Sequence, residues 1–134
     1  MVLERATGAV NRRLHEHVDL HGLTVTEFGI LEALYHKGPL LLGDVQKKIL
    51  LSSGGVTYTV DRLADKGLVE RRECSSDRRA RYAALTPKGE TLIAQIFPKH
   101  ADQIEETMSA LSAREQDDAI AILRKLGLSA AADD

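Results

Sequence analysis

The side chains of this chain best suited to chemistry fall in two short stretches. In the first, Ser52, Ser53, Gly54 and Gly55 precede Thr57, Tyr58 and Arg62. Small residues at a helix start allow close approach to another surface, and the free N–H groups there attract anions such as phosphate. Thr57 suits a thymine methyl or a hydrogen bond to a base edge, Tyr58 a base or a phosphate, and Arg62 a phosphate. The second stretch is Asp77-Arg78-Arg79, flanked by Arg72 and Arg81. Guanidinium groups at a loop tip suit a narrow DNA minor groove, where negative potential concentrates. Asp77 lies two residues before Arg79, on the same side of an extended loop, and can hold that side chain through a charge-assisted bond. Each stretch has a plainer reading: the serine-glycine run as a turn, the charged run as a solvated loop.

Other reactive residue types lead less far. Cys74 is the single cysteine, which excludes an internal disulfide and a multi-cysteine metal site. Arg71, Arg72 and Arg78 are near in sequence and would lower its pKa, so Cys74 is the candidate redox residue. It has no resolving partner in the same chain, and the plain alternative is a strand-end residue. The histidines are His15, His17, His21, His36 and His100. No two lie four apart within a helix, since His21, four after His17, follows the helix end at Leu20; His15 and His17 face different ways, so no metal is expected. No cofactor is implied, and nothing resembles a nucleophile elbow, a phosphate-cradling loop or a spaced acid pair, so an enzyme is not expected.

The elements that must position these residues follow from caps and periodicity. Val2 to Leu20 reads as a helix with Val10, Leu14, His17 and Val18 near one face, stopping at Gly22. Thr24 and Glu27 form a capping box, and Phe28, Leu31, Ala33, Leu34 and Tyr35 follow at helical spacing until Gly38-Pro39. A short helix fits Leu41–Ile49, and another runs from Ser53, with Ser52 as cap, to Lys66, where Gly67 ends it. In that helix Val56, Val60 and Leu63 share one face, leaving Ser53, Gly54, Thr57, Tyr58, Asp61, Arg62 and Asp65 opposite. Residues 68–72 and 81–85 read as two strands of a hairpin whose loop is 73–80. Thr86-Pro87 opens a long helix whose seam is Leu92, Ile96, His100, Ile104, Met108 and Leu111, with Pro98 expected to bend or break it. Ser112 and Glu115 cap a last helix through Ile120, Leu123 and Leu126 to Gly127, leaving 129–134 as a frayed tail. The order predicts a mainly α fold with a small β-hairpin wing. It is a winged helix-turn-helix flanked by N- and C-terminal helices.

Composition at first sight opposes nucleic acid. The 134 residues carry a formal net charge of -2, with 43% hydrophobic residues, as for one ordinary globular domain. Residues 1–100, however, hold 15 Lys and Arg against 12 Asp and Glu, a net +3, while 101–134 hold 3 against 8, a net -5. Within 62–81 the basic residues Arg62, Lys66, Arg71, Arg72, Arg78, Arg79 and Arg81 form a local stripe. No apolar run approaches the roughly 18 residues needed to span a bilayer, and Met1–Asp19 lacks a signal-peptide core. No membrane partner and a cytoplasmic location are the expectation.

An ordered set of residues then carries a family resemblance. Leu23-Thr24, Gly38-Pro39, Val56-Thr57, Val60-Asp61-Arg62-Leu63, Lys66-Gly67-Leu68-Val69-Glu70-Arg71, Asp77-Arg78-Arg79 and Leu85-Thr86-Pro87-Lys88-Gly89 together resemble the MarR family of bacterial transcription regulators. The residues 35–39, 48–51, 72–74 and 96–100 further resemble its quinone-responsive, MhqR-like branch. The resemblance implies a single MarR-type domain over 1–134, with dimerisation helices in 1–22 and 87–128 and a DNA-binding lobe in 24–86. It implies a homodimer on a palindromic double-stranded operator, acting as a repressor released by a small phenolic or quinone-like effector. Ser53–Lys66 would be the recognition helix and Cys74–Tyr82 the wing, with Arg79 in the minor groove. An effector pocket would lie between the dimer helices and the DNA lobe, where His17, His21, Phe28, Tyr35 and His36 are candidates; Phe28 and Tyr35 could equally be core. Two departures are Leu41, where the family commonly has a polar helix cap, and a first helix short at its N-terminus. The alternatives are a winged-helix protein-interaction module without DNA affinity and a thiol switch through Cys74.

Overall fold

Capping chemistry sets where the helices begin. The structure, a computed structural model, describes residues 1–49, 53–77 and 79–131, with Ser53 and Ala131 described by backbone alone. Its order is α1 (Val2–Asp19), α2 (Val25–Lys37), β1 (Leu40–Leu41), α3 (Leu42–Ile49), α4 (Ser53–Asp65), β2 (Val69–Glu73), β3 (Arg81–Leu85), α5 (Pro87–Met108) and α6 (Ala113–Ala131). The Thr24 hydroxyl accepts from the Glu27 N–H at 3.1 Å, and the Glu27 carboxylate accepts from the Thr24 N–H at 3.0 Å, closing the expected box on α2. Ser112 and Glu115 do the same before α6.

Three elements depart from expectation. Leu40 and Leu41 form a third strand, paired antiparallel to Ala83 and Tyr82, so the sheet order is β1-β3-β2. Two residues are too few to show strand alternation, and Leu41 therefore lies in a strand rather than at a helix cap. Pro98 does not break α5, which continues through it. It lies on the exposed face beside exposed Ala94, whose carbonyl, left without its helix donor, can be hydrated. Finally, α6 passes Gly127 and includes residues 129–131, which the sequence assigns to a tail. A helical glycine costs only about 1 kcal/mol relative to alanine, and the helix-forming residues around it outweigh that. Residues 132–134 lie outside the described residues.

The core gathers beneath α2, where Phe28, Ile30, Leu31 and Leu34 meet Val45, Val56, Val60, Leu63, Ile93 and Ile96. Burying each such side chain contributes about 1.5–3 kcal/mol. Ile93 rather than Leu92 is the fully buried member of the α5 seam, and toward its C-terminal end Ile104 is exposed. His100 is buried with its ring 4.2 Å from that of Phe28 and 5.6 Å from that of His17. Burial, and then the neighbouring His17, push the His100 imidazole below its usual pKa.

Two of the sequence blocks turn out to be halves of one junction. Gly67, at φ +71°, ends α4 in the left-handed region that favours glycine. The Thr86 hydroxyl donates to the Gly67 carbonyl at 2.6 Å and accepts from the Gly89 N–H at 3.1 Å, while the Thr86 N–H donates to the Leu68 carbonyl. This brings the first turn of α5 so close to Leu68 that a Cβ on Gly89 would overlap the Leu68 carbonyl oxygen. Backbone stands on both sides, so neither can yield cheaply.

Gly89→Ala is therefore expected to destabilise the domain by about 1–3 kcal/mol, measured by urea unfolding; an unchanged midpoint would contradict the close approach. For His100 the sign follows from linkage. Its folded pKa lies below 6.5, so the unfolded chain binds the extra proton and stability falls as pH drops through that region. The thermal midpoint should decline on acidification below pH 6.5, and His100→Leu should flatten that decline. An equally steep decline in the variant would show that other groups cause it.

Candidate nucleic-acid interface

The helix α4 is two-faced. Val56, Val60 and Leu63 are buried, and so is Thr59, whose hydroxyl donates to the Gly55 carbonyl at 2.8 Å within the same helix. The opposite face exposes Gly54, Thr57, Tyr58, Asp61 and Arg62, as the periodicity predicts. Gly55 is half-buried. Ser52 and the side chain of Ser53 lie outside the described residues. Tyr58, at 63% exposure, is an unusually prominent aromatic for a polar helix face.

Arg62 is already engaged. Its Nε donates to Glu27 Oε1 at 3.3 Å, and Nη1 donates to the Tyr58 hydroxyl at 3.3 Å, with the guanidinium carbon 5.8 Å from the Tyr58 ring centre. Lys66, one helical turn on, donates to Glu27 Oε2 at 2.7 Å and to the Gly22 carbonyl at 2.9 Å. Glu27 is only 1% exposed. Burial pushes its carboxyl up, but Lys66, the Thr24 N–H and Arg62 together outweigh that and hold it below its ordinary pKa. The sequence shows Glu27 only as a helix cap. The signal that could have found its second role is that Arg62 and Lys66, four apart on α4, share a face and need a counter-charge.

The wing is a true hairpin: Val69 to Glu73 pair in register with Leu85 to Arg81. Two of the four arginines expected to face DNA, Arg72 and Arg81, form ion pairs within it. Arg72 is 2.7 Å from Glu70 on its own strand, and Arg81 is 3.0 Å from Glu73 across the ladder. Arg71 reaches Asp61 of α4 at 2.7 Å, which ties the wing to the exposed face of that helix. Such exposed pairs contribute little stability, about 0–1 kcal/mol each, but they fix direction. At the loop tip, Asp77 acts differently from expectation. Its carboxylate accepts from the backbone N–H of Arg79 at 2.9 Å, a local turn of the kind aspartate favours, and not from the guanidinium. Arg79 is exposed, and among the described residues it has no ion-pair partner. Arg78 lies outside the described residues.

Cys74 is half-buried at the end of β2, its sulfur 3.1 Å from the Ser76 hydroxyl. The thiol is held below its ordinary pKa by the Ser76 hydroxyl, then by the N–H groups of Ser76 and Asp77. Arg71 and Arg72, nominated for that role by their proximity in sequence, pair with Asp61 and Glu70 instead.

The five candidate effector residues do not converge on one cavity. His17 and His21 lie 5.7 Å apart in one aromatic group that includes His100 and Phe28, and Phe28 belongs to the core. Tyr35 and His36 form another with Phe97. His17 lines an open cleft of about 470 Å³ between α1 and α5, beside Lys99 and Gln103. Tyr35 and His36 line separate cavities of about 220 and 290 Å³. Among the described residues, the buried His17 Nε2, His100 Nδ1 and Gln103 Oε1 have no hydrogen-bond partner. No group of three or more His, Cys, Asp or Glu is placed to hold a metal ion among those residues, and none of their helices is long and apolar enough to cross a membrane.

The sequence profile of the MarR family matches residues 21–80. The chain is 44% identical over 130 residues to the HTH-type transcriptional regulator MhqR of Bacillus subtilis strain 168, covering 97% of this chain and 90% of that protein. Among solved structures, BpsR of Bordetella bronchiseptica, described for regulation of its DNA binding by 6-hydroxynicotinic acid, superposes with a TM-score of 0.84. It is 26% identical, with 94% of this chain and 90% of that one covered. Sco3205 of Streptomyces coelicolor, a MarR family regulator solved in complex with DNA, gives a TM-score of 0.87 at 22% identity, covering 94% and 81%. These relatives are transcription regulators, not enzymes. With its winged helix-turn-helix and its 44% identity to MhqR, the chain belongs to the MarR family of DNA-binding transcription regulators.

Proposed function

We propose that this regulator is a repressor, active in the cytoplasm, which binds a palindromic operator as a homodimer and is released by a small phenolic or quinone-like effector. The observation that carries the DNA-contact assignment is the pairing of two exposed features. The face of α4 bearing Gly54, Thr57 and Tyr58 adjoins a wing whose tip carries Arg79, in no ion pair among the described residues, and the Asp61–Arg71 bridge links the two. In this reading the N-terminal part of α4, through Tyr58, enters the major groove, with Ser52 just before it in the sequence, and Arg79 enters the flanking minor groove. Arg62, Arg72 and Arg81 contribute mainly through the geometry they maintain, while Asp77 shapes the loop that presents Arg79. Residues 24–86 form the DNA lobe.

The homodimer is supported by exposed apolar side chains that the described residues leave uncovered. On α6, Ile120, Ile122, Leu123, Leu126 and Leu128 are 49–67% exposed, and Met1, Val2 and Leu3 at the start of α1 are exposed as well. Such a surface is typical of association sites. It supports a role in dimerisation for 1–22 and 87–128, which would set the two recognition helices about 34 Å apart, one turn of B-DNA. The effector reading is supported by the cleft beside His17, in whose wall the buried His17 Nε2 and Gln103 Oε1 have no hydrogen-bond partner among the described residues, so that a small shift of those side chains would present polar groups to an aromatic hydroxyl or carbonyl compound. BpsR, regulated in its DNA binding by 6-hydroxynicotinic acid, is a relative with an aromatic effector. An effector there must favour a dimer geometry that misaligns the recognition helices.

The test is a gel shift on the DNA upstream of the chain's own gene, titrated with quinones, phenols and peroxides. Binding should weaken with salt by a log–log slope of about -0.9 per phosphate neutralised, and a quinone or phenol should release it. Salt-independent binding would argue against the operator reading, and release by peroxide alone would point to Cys74 instead. Arg79→Ala should weaken operator binding by about 1–3 kcal/mol; unchanged affinity would remove the wing tip from the interface. In sedimentation the chain should run at twice its mass, and Leu123→Glu should shift it toward the monomer. A wild-type monomer at micromolar concentration would refute the dimer assignment.

A further inference from the structure

Glu27 does more than cap a helix. Its carboxylate is 1% exposed, yet it gathers Lys66 at 2.7 Å and Arg62 at 3.3 Å, both from the recognition helix α4 and its C-terminal end. Arg62 passes the constraint outward, donating to the hydroxyl of exposed Tyr58 and lying against its ring. Lys66 passes it sideways to the Gly22 carbonyl, at the turn between α1 and α2. One buried carboxylate therefore fixes two cations and, through one of them, an aromatic side chain on the exposed face of α4.

Both cations would otherwise be ordinary phosphate ligands. A lysine or arginine near a DNA-facing helix adds affinity for any duplex, whatever its sequence. Held by Glu27, they add less, and Tyr58 is presented in a set direction. We propose that Glu27 is a positioning residue for selectivity: it keeps Arg62 and Lys66 from indiscriminate phosphate binding and orients Tyr58 for base readout. The proposal rests on the assignment of α4 to the major groove. A purely structural ion pair would stabilise α4 without altering which DNA it prefers.

The two roles separate on selectivity. A duplex is selected from a random-sequence pool by the wild-type protein, and a scrambled duplex of equal composition serves as reference. Glu27→Gln keeps an oxygen to accept the Thr24 N–H but removes the charge. Its ratio of affinities for the selected and scrambled duplexes should fall about tenfold, the size of a lost hydrogen bond to a charged group. Binding to the scrambled duplex should hold or rise, with a salt slope steeper by about 0.9 for each further phosphate that Arg62 or Lys66 then neutralises. Thr24→Ala, which damages the same cap and leaves the carboxylate, should lower the thermal midpoint without changing the ratio. Tyr58→Phe, exposed and unable to disturb the core, should lower the ratio alone, and adding it to Glu27→Gln should cost no more than the larger single effect.

Equal loss on both duplexes in Glu27→Gln would overturn the proposal, as would additive losses in the double variant. So would an unchanged ratio in Tyr58→Phe, which decides the matter even if Glu27→Gln does not fold. If the wild-type protein selects no duplex, sequence-specific binding itself falls, and with it the proposal. If it selects one and Thr57→Ala and Tyr58→Ala bind that duplex normally, the assignment of α4 is at fault.

Discussion

A carboxylate removed from water has to be compensated by cations or protonated, and here the cations come from α4 and its C-terminal end. Glu27 opens α2, and its partners Arg62 and Lys66 lie on α4 and at its C-terminal end, so the charge balance of one residue sets the relation between two helices. Apolar packing of Val56, Val60 and Leu63 keeps α4 in the core, but packing of smooth side chains alone tolerates small rotations and slides. Directional contacts do not. The Asp61–Arg71 bridge and the Thr86–Gly67 hydrogen bond add two more directional ties, one to the wing and one to α5. The exposed face of α4 is thus held from three sides by polar contacts around an apolar centre.

The same pairing changes the meaning of the basic stripe. Of the cations in 62–81, Arg62 and Lys66 meet Glu27, Arg71 meets Asp61, Arg72 meets Glu70 and Arg81 meets Glu73. Arg79 has no such partner among the described residues. The stripe in 62–81 therefore holds few unattached cations among its described residues, although others elsewhere in the net +3 of residues 1–100, such as Lys37, Lys47 and Lys48, are in no ion pair among the described residues. In the proposed complex such a stripe would add less to the attraction for arbitrary DNA, which scales with the phosphates neutralised.

The fold is legible in the sequence wherever a local rule suffices. Capping boxes at Thr24 and Ser112 place two helix starts, and the i, i+4, i+7 pattern of Val56, Val60 and Leu63 orients α4 correctly. Local rules fail where the determining partner is distant. Leu40 and Leu41 become a strand because Ala83 and Tyr82 offer an open edge some forty residues on. Glu27 looks like a cap because its cation partners are 35 and 39 residues away. Spacing suggests that Asp77 grips the Arg79 side chain, yet the shorter reach of the turn favours the backbone N–H of the same residue. The effector candidates scatter for a related reason: aromatic and histidine residues gather easily in sequence windows, but Phe28 and Tyr35, though on nearly the same face of α2, are about 10 Å apart along its axis and meet different neighbours.

In the proposed function, the route from a bound effector to α4 would depend on α5. Its first turn is pressed against Leu68 at Gly89, immediately after the end of α4, and its middle carries His100 beside His17 of α1. A helix of this length can pass a displacement along its axis, because apart from the bond lost at Pro98 its backbone bonds are internal. A ligand wedged beside His17 would move α1 against α5, and α5 cannot yield at Gly89, where backbone already meets backbone. On the proposed dimer, with the far ends of both helices held by the partner, the displacement is directed into the spacing of the two DNA lobes. Tight packing at the small end of the lever, rather than flexibility, is what would make a small molecule effective.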